Sequence, residues 1–112
     1  MANTFKNKTF NGNNTTANTN MAVYTADTTN LTATVVIGLT LANTTSSQIT
    51  ADIKLMAGQS VFLAKAIPIP AGSSFEYMGG NKIIMESGDT LQVASNTADS
   101  LDTVLSIMEI TS

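Results

Sequence analysis

Between Leu31 and Leu41 the chain alternates with a period of two. Leu31, Ala33, Val35, Ile37, Leu39 and Leu41 hold the odd positions, and Thr32, Thr34, Val36, Gly38 and Thr40 fall between them. Successive side chains of a strand point to opposite faces, so the spacing predicts a half-buried strand with its odd residues inward. A helix would scatter the same apolar residues around its axis. The same reading predicts strands at Met21 to Ala26, Gln48 to Met56 (Ile49, Ala51, Ile53 and Leu55 on one face), Val61 to Ile69 and Ser74 to Met78. Three more follow at Lys82 to Met85, Thr90 to Ser95 and Leu101 to Ile110.

Turn chemistry separates these segments. Asp27 to Asn30, Asn43 to Ser46, Ala57-Gly58-Gln59, Pro70-Ala71-Gly72, Gly79-Gly80-Asn81, Ser87-Gly88-Asp89 and Asn96 to Asp99 supply Gly for positive φ and Asn, Asp or Ser to bond their own backbone. Eight short strands with such breaks predict an all-β fold, an antiparallel sandwich of jelly-roll or Ig-like type. Pro68 and Pro70 cannot donate to a ladder, which predicts a strand end or sheet edge there, with Pro-Ile-Pro as a candidate contact ridge.

Residues 1–20 read differently from residues 21–112. The first segment is rich in Asn and Thr, and Phe5 and Phe10 are its large apolar side chains. It is expected to be an extended N-terminal arm on the sandwich domain, with a short strand near Thr4 to Phe10 and a tether after it. Asn11-Gly12 suits a type I′ turn, but no apolar alternation follows to make a stable hairpin. Ordering such an arm costs on the order of 20–40 kcal/mol of backbone entropy, whereas two buried Phe return about 3–6 kcal/mol. The expectation is therefore that Thr4 to Phe10 is fixed by adding a strand to a neighbouring sheet.

Charge changes the picture only a little. The chain has 112 residues, five Lys, no Arg and a net charge of −3. Lys6 and Lys8 sit on the arm and make it weakly basic against an acidic body, which favours an acidic neighbour. Clustered Lys and Arg are lacking, so no nucleic-acid partner is expected. No apolar run approaches the ~18 residues of a membrane span, and the first residues lack the basic and apolar regions of a secretion signal, so no membrane partner is expected.

Candidate chemistry is thin. Without His or Cys the chain lacks the commonest catalytic and metal-ligating side chains, and no imidazole can activate a serine. Carboxylate pairs remain at Glu86 and Asp89 and at Asp99 and Asp102, where turn formation is the simpler reading. A calcium site at Asp89, Asp99 and Asp102 has the right ligand type but no loop with ligand spacing. A sugar cleft would call for exposed aromatics, and the body offers Tyr24, Phe62, Phe75 and Tyr77. No enzyme, cofactor or metal is expected. The candidate interface residues are Phe5, Lys6, Lys8, Phe10, Pro68 and Pro70.

The order of phrases along the chain resembles a family of small virion structural proteins of tailed bacteriophages, common in cyanophages. The resemblance is carried by Met1-Ala2-Asn3-Thr4-Phe5-Lys6-Asn7, Val23-Tyr24-Thr25-Ala26, the run Leu63 to Ser74, the run Lys82 to Ser95 and the ending Ser106 to Thr111. The Asn-rich arm and Gly79-Gly80 depart from it. The resemblance implies a β-sandwich subunit, present in many copies in the virion, with other virion proteins (major capsid, neck or tail) and further copies of itself as partners. Capsid decoration, or cement, is the foremost role implied, with neck, tail or baseplate parts next. A carbohydrate- or receptor-binding module and a small hydrolase are the competing readings.

Overall fold

The computed structural model describes residues 2–11, 16–26, 31–77 and 83–111. Nine strands appear among them: β1 (Ala2–Phe10), β2 (Met21–Thr25), β3 (Leu31–Asn43), β4 (Ile49–Ala57), β5 (Gln59–Ile69), β6 (Ser74–Tyr77), β7 (Ile83–Met85), β8 (Thr90–Ser95) and β9 (Leu101–Thr111). The turns expected at Asn11-Gly12, Asp27 to Asn30 and Gly79 to Asn81 lie outside the described residues.

Two antiparallel sheets stack, one ordered β1-β9-β3-β6 with β7 also on β3, the other β2-β8-β4-β5. The pairings nest: β1 with β9, β2 with β8, β3 with β6 and β7, β4 with β5. A chain paired in this way is one long hairpin rolled up until β9 also meets β3 and β8 also meets β4. That is a jelly roll. It decides between the two sandwich types that the alternation allowed.

The core lies between the sheets. Val36, Leu39, Leu41, Ile49, Ile53, Ile69, Met85, Leu91, Val93, Leu101, Leu105 and Ile107 are buried there. At about 1.5–3 kcal/mol for each large aliphatic side chain, this layer is the main favourable term of folding. β4 follows its alternation, with Ile49, Ala51 and Ile53 buried.

β3 departs from the expected odd-residue face. Thr34 and Val36 are fully buried, Val35 is half-buried and Ile37 is exposed, yet Leu39 and Leu41 point inward. A bulge between Val36 and Gly38 causes this. One extra residue switches the phase of the strand, so the inward set is even before the bulge and odd after it. Alternation in the sequence shows no such break, because Val35 and Val36 are equally apolar. Thr34 is tolerated inside because its Oγ1 bonds the Tyr24 hydroxyl at 2.9 Å.

The strand expected near Thr4 to Phe10 is present, but it pairs in register with β9 of the same chain, from Ala2 opposite Thr111 to Phe10 opposite Thr103. It completes its own sheet instead of a neighbour's. The backbone ladder supplies what two Phe side chains cannot.

The corner between β3 and β4 is organised by Asn43, 3% exposed. Its Nδ2 donates to the carbonyls of Ser47 (2.8 Å), Ile69 (2.9 Å) and Pro70 (3.2 Å). Its Oδ1 accepts from the Thr45 backbone N–H at 2.9 Å. One side chain thus closes the turn and fastens the end of β5. Gly58 (φ 76°), Gly72 (φ 68°) and Gly88 (φ 89°) occupy the left-handed region in the tight turns.

Candidate interaction surface

Four strands of the first sheet set their outward side chains in rows. Phe5 on β1 is opposite Met108 on β9, Met108 is opposite Val35 on β3, and Val35 is opposite Ile84 on β7. Directly opposed residues share a face, so Phe5, Met108, Val35 and Ile84 form one apolar row across the outside of the sandwich. Phe5 is 73% exposed and Ile84 56% exposed. Exposed Ile37 at the bulge and Val104 on β9 extend the patch.

The flanking rows are uncharged or nearly so. Asn3, Ile110 and Ala33 lie on one side; Asn7, Ser106 and Gly38 on the other. Beyond them come Thr9, Val104, Thr40 and Glu76, then Asp102, Ala42 and Ser74. Among the described residues of this face the charges are Glu76 and Asp102 toward one end and Glu86, exposed two residues beyond Ile84, at the other.

The outside of the second sheet has the opposite character. Lys65 and Lys54 place their Nζ atoms 4.2 Å and 5.1 Å from the Phe62 ring centroid. Asp52 Oδ1 accepts from the Ala66 backbone N–H at 2.7 Å, at an irregular stretch of the β4–β5 pairing where Ala66 has φ 55°. A groove of about 260 Å³ beside them is lined by Asn18, Asn20, Asp52, Phe62, Ser95 and Asn96 among others. Within it, Asn96 Oδ1 accepts from the Thr50 N–H at 3.1 Å.

The predicted interface residues fall into two separate places. Phe5, Lys6, Lys8 and Phe10 share β1, the edge of the first sheet, which runs beside β2. Pro68 lies on β5, the edge of the second sheet on the opposite side, and Pro70 follows its end. There the Tyr77 hydroxyl of β6 reaches across from the first sheet and donates to the Leu63 carbonyl of β5 at 3.3 Å. Phe5 faces outward. Lys6, Lys8 and Phe10 belong to the other side of β1, where Phe10 is half-buried opposite Thr103. The sequence singles out Phe5 as a candidate but not Val35, Ile84 and Met108, which share its row. Their register across three strands is invisible in the linear chain.

Lys6 also takes part in a polar clasp. Its Nζ lies 2.8 Å from Glu109 Oε1, and the Tyr24 hydroxyl donates to Glu109 Oε2 at 2.6 Å. Lys6 and Tyr24 together hold the Glu109 carboxyl below its ordinary pKa of 4.5, against the smaller opposing effect of burial.

Of the acids weighed as catalytic pairs, Glu86, Asp89 and Asp99 lie at turns, and Asp102 lies on β9 opposite Ala42. Asp89 Oδ2 accepts from the Glu86 N–H at 2.9 Å, and Asp99 has φ 53° in the turn before β9. Among the described residues no cluster of acids could hold a metal ion.

No protein-family model matches the chain, and no curated protein matches it. In three dimensions it is similar to two crystal structures of a pentameric capsid protein isolated from metagenomic phage sequences, each with 20% identity and a TM-score of 0.45. The match covers 92% of this chain but 61% and 59% of those chains, so this chain spans about three fifths of their length.

Proposed function

We propose that the chain is a non-enzymatic structural subunit of a tailed-phage virion, present in many copies, and that it decorates and cements the capsid. The observation that carries this reading is the apolar row Phe5–Met108–Val35–Ile84. Apolar surface left in water forgoes roughly 25 cal/mol for each Å² that a neighbour could cover. Contiguous apolar patches of this kind mark contact surfaces.

The sequence resemblance to phage virion proteins supports a particle as the setting. The sheet edges at β1 and β5 provide further contact lines, with Lys6 and Lys8 on the first and Pro68 and Pro70 near the second. Repetition on a symmetric particle turns modest contacts into firm retention, because a subunit released at one contact is still held at the next. A neck or tail position would use the same surfaces.

The sugar-binding reading loses ground on the aromatics. Tyr24 is buried, Phe75 and Tyr77 are half-buried, and the Phe62 ring has lysine ammonium groups close to it.

The reading is tested by add-back to particles assembled without this protein. Purified chain should bind them and raise their resistance to heat and low salt. The Phe5→Asp/Ile84→Asp variant should bind weakly while retaining the β-sheet circular dichroism signal. Undiminished binding by that variant, or particles equally robust without the protein, would overturn the cement role.

A further inference from the structure

We infer that the outer face of the first sheet pairs with the same face of a second copy, so that the unit of assembly is a two-fold dimer. The inference rests on reading the apolar row as a contact surface and goes beyond it by naming what covers the row.

Charge is the first argument. The chain carries a net −3, so most contacts between two copies bring like charges together. This face limits that, since its described charges lie at its two ends, Glu76 and Asp102 at one and Glu86 at the other, and leave the middle rows uncharged. It also offers a charged partner nothing to recognise.

Geometry is the second. Place the two-fold axis in the plane of the contact, parallel to the strands and midway between β9 and β3. Each Phe5 then lies over the Ile84 of the other copy, and each Met108 over Val35. The same rotation puts Glu76 over Thr9 and Asp102 over Ala42, so no acid meets an acid. A self-complementary patch is what a two-fold contact requires. Two sheets pack face to face about 10 Å apart with their mean strand directions within about 30° of each other, a range that includes this arrangement.

Area is the third. Four strands spaced about 4.8 Å apart, with rises of about 3.3 Å per residue, give a face on the order of 600 Å². Stable contacts bury roughly 800 Å² per partner, so this face supplies most of what a dimer needs.

Sedimentation velocity on the full chain over a concentration series tests the inference. A concentration-dependent dimer is expected. Phe5→Lys alone and Ile84→Glu alone should each weaken it at least about 30-fold, the scale of a central hot spot. The Phe5→Lys/Ile84→Glu double variant should recover much of the loss, because each new lysine meets a new glutamate across the axis.

A second readout uses the absence of cysteine from the chain. In Phe5→Cys/Ile84→Cys the two thiols of one chain sit three strand spacings apart, about 14 Å, whereas facing thiols of two copies, on sheets about 10 Å apart, come within about 5–7 Å of each other. A thiol-reactive cross-linker with a reach of about 8 Å should therefore join two chains and not bridge one. A chain that stays monomeric throughout, a dimer indifferent to both single variants, or failure to cross-link would each overturn the inference. If a monomeric chain nonetheless binds particles through Phe5 and Ile84, self-pairing falls and the virion reading stands.

Discussion

Lys6 Nζ lies 2.8 Å from Glu109 Oε1, joining the first strand of the chain to the last across the edge of the sheet. Tyr24 reaches the same carboxylate from the second sheet at 2.6 Å and bonds Thr34 of β3 at 2.9 Å. Four strands are thus tied at one carboxylate. The two sides of the clasp differ in exposure: the Lys6 side chain is 45% exposed and that of Glu109 12%.

That difference sets the cost of removing each. Lys6→Ala should lower stability by less than about 1 kcal/mol, since a half-exposed ammonium is screened by water. Glu109→Ala should cost about 1–3 kcal/mol, because the buried Tyr24 hydroxyl loses an acceptor. Urea unfolding of both variants measures this. Equal losses would show that the clasp is not organised around Glu109.

The pH dependence follows from the same carboxylate. Its pKa is lower in the folded state than its ordinary 4.5. The stability it contributes is therefore complete above the unfolded value and fades as pH falls through that value toward the folded one. The urea midpoint of the native chain should drop more between pH 6 and pH 3 than that of Glu109→Gln. Parallel curves for the two proteins would contradict the clasp.

The bulge in β3 makes a sharp contrast between adjacent valines. Val36→Asp places a charge in the core, where it should cost several kcal/mol and abolish cooperative folding. Val35→Asp, on the half-buried outer face, should leave a folded sandwich. Circular dichroism and thermal melts distinguish the two, and the reverse order would place the phase where plain alternation puts it.

Asn43 is the remaining polar element of the interior. Asn43→Ala removes five hydrogen bonds at one corner and strands buried carbonyls, at a cost of about 1–3 kcal/mol for the pair of strands it joins. Asn43→Asp should also destabilise, since a carboxylate cannot donate to the Ile69 and Pro70 carbonyls. Melting temperatures of the two variants check this, and native-like values would refute it.

Much of this fold was legible from local pattern. The strands from β2 to β9 fall close to their expected limits because Gly, Asn and Asp mark the turns and aliphatic alternation marks the faces. β1 was half legible. A strand could be expected at Thr4 to Phe10, but its partner could not, since Asn and Thr carry no inward face to set a register. The bulge at Ile37 was hidden for a related reason: four apolar-compatible residues in succession, Val35 to Gly38, fit either phase. The apolar row is a property of register across four strands. Phe5 could be singled out as a large apolar residue in a polar segment, whereas Ile84 and Val35 looked like ordinary strand interior until β7 and β9 were seen to flank β3.

The proposed virion role requires that this sandwich sit in a phage particle with its first sheet turned toward a neighbour. Electron cryo-microscopy of particles made by the genome encoding the chain decides this. Jelly-roll density is expected at repeated symmetric positions, with Phe5, Val35, Ile84 and Met108 covered by an adjoining protein. Purified particles without this chain, or particles in which that row faces open solvent, would refute the role.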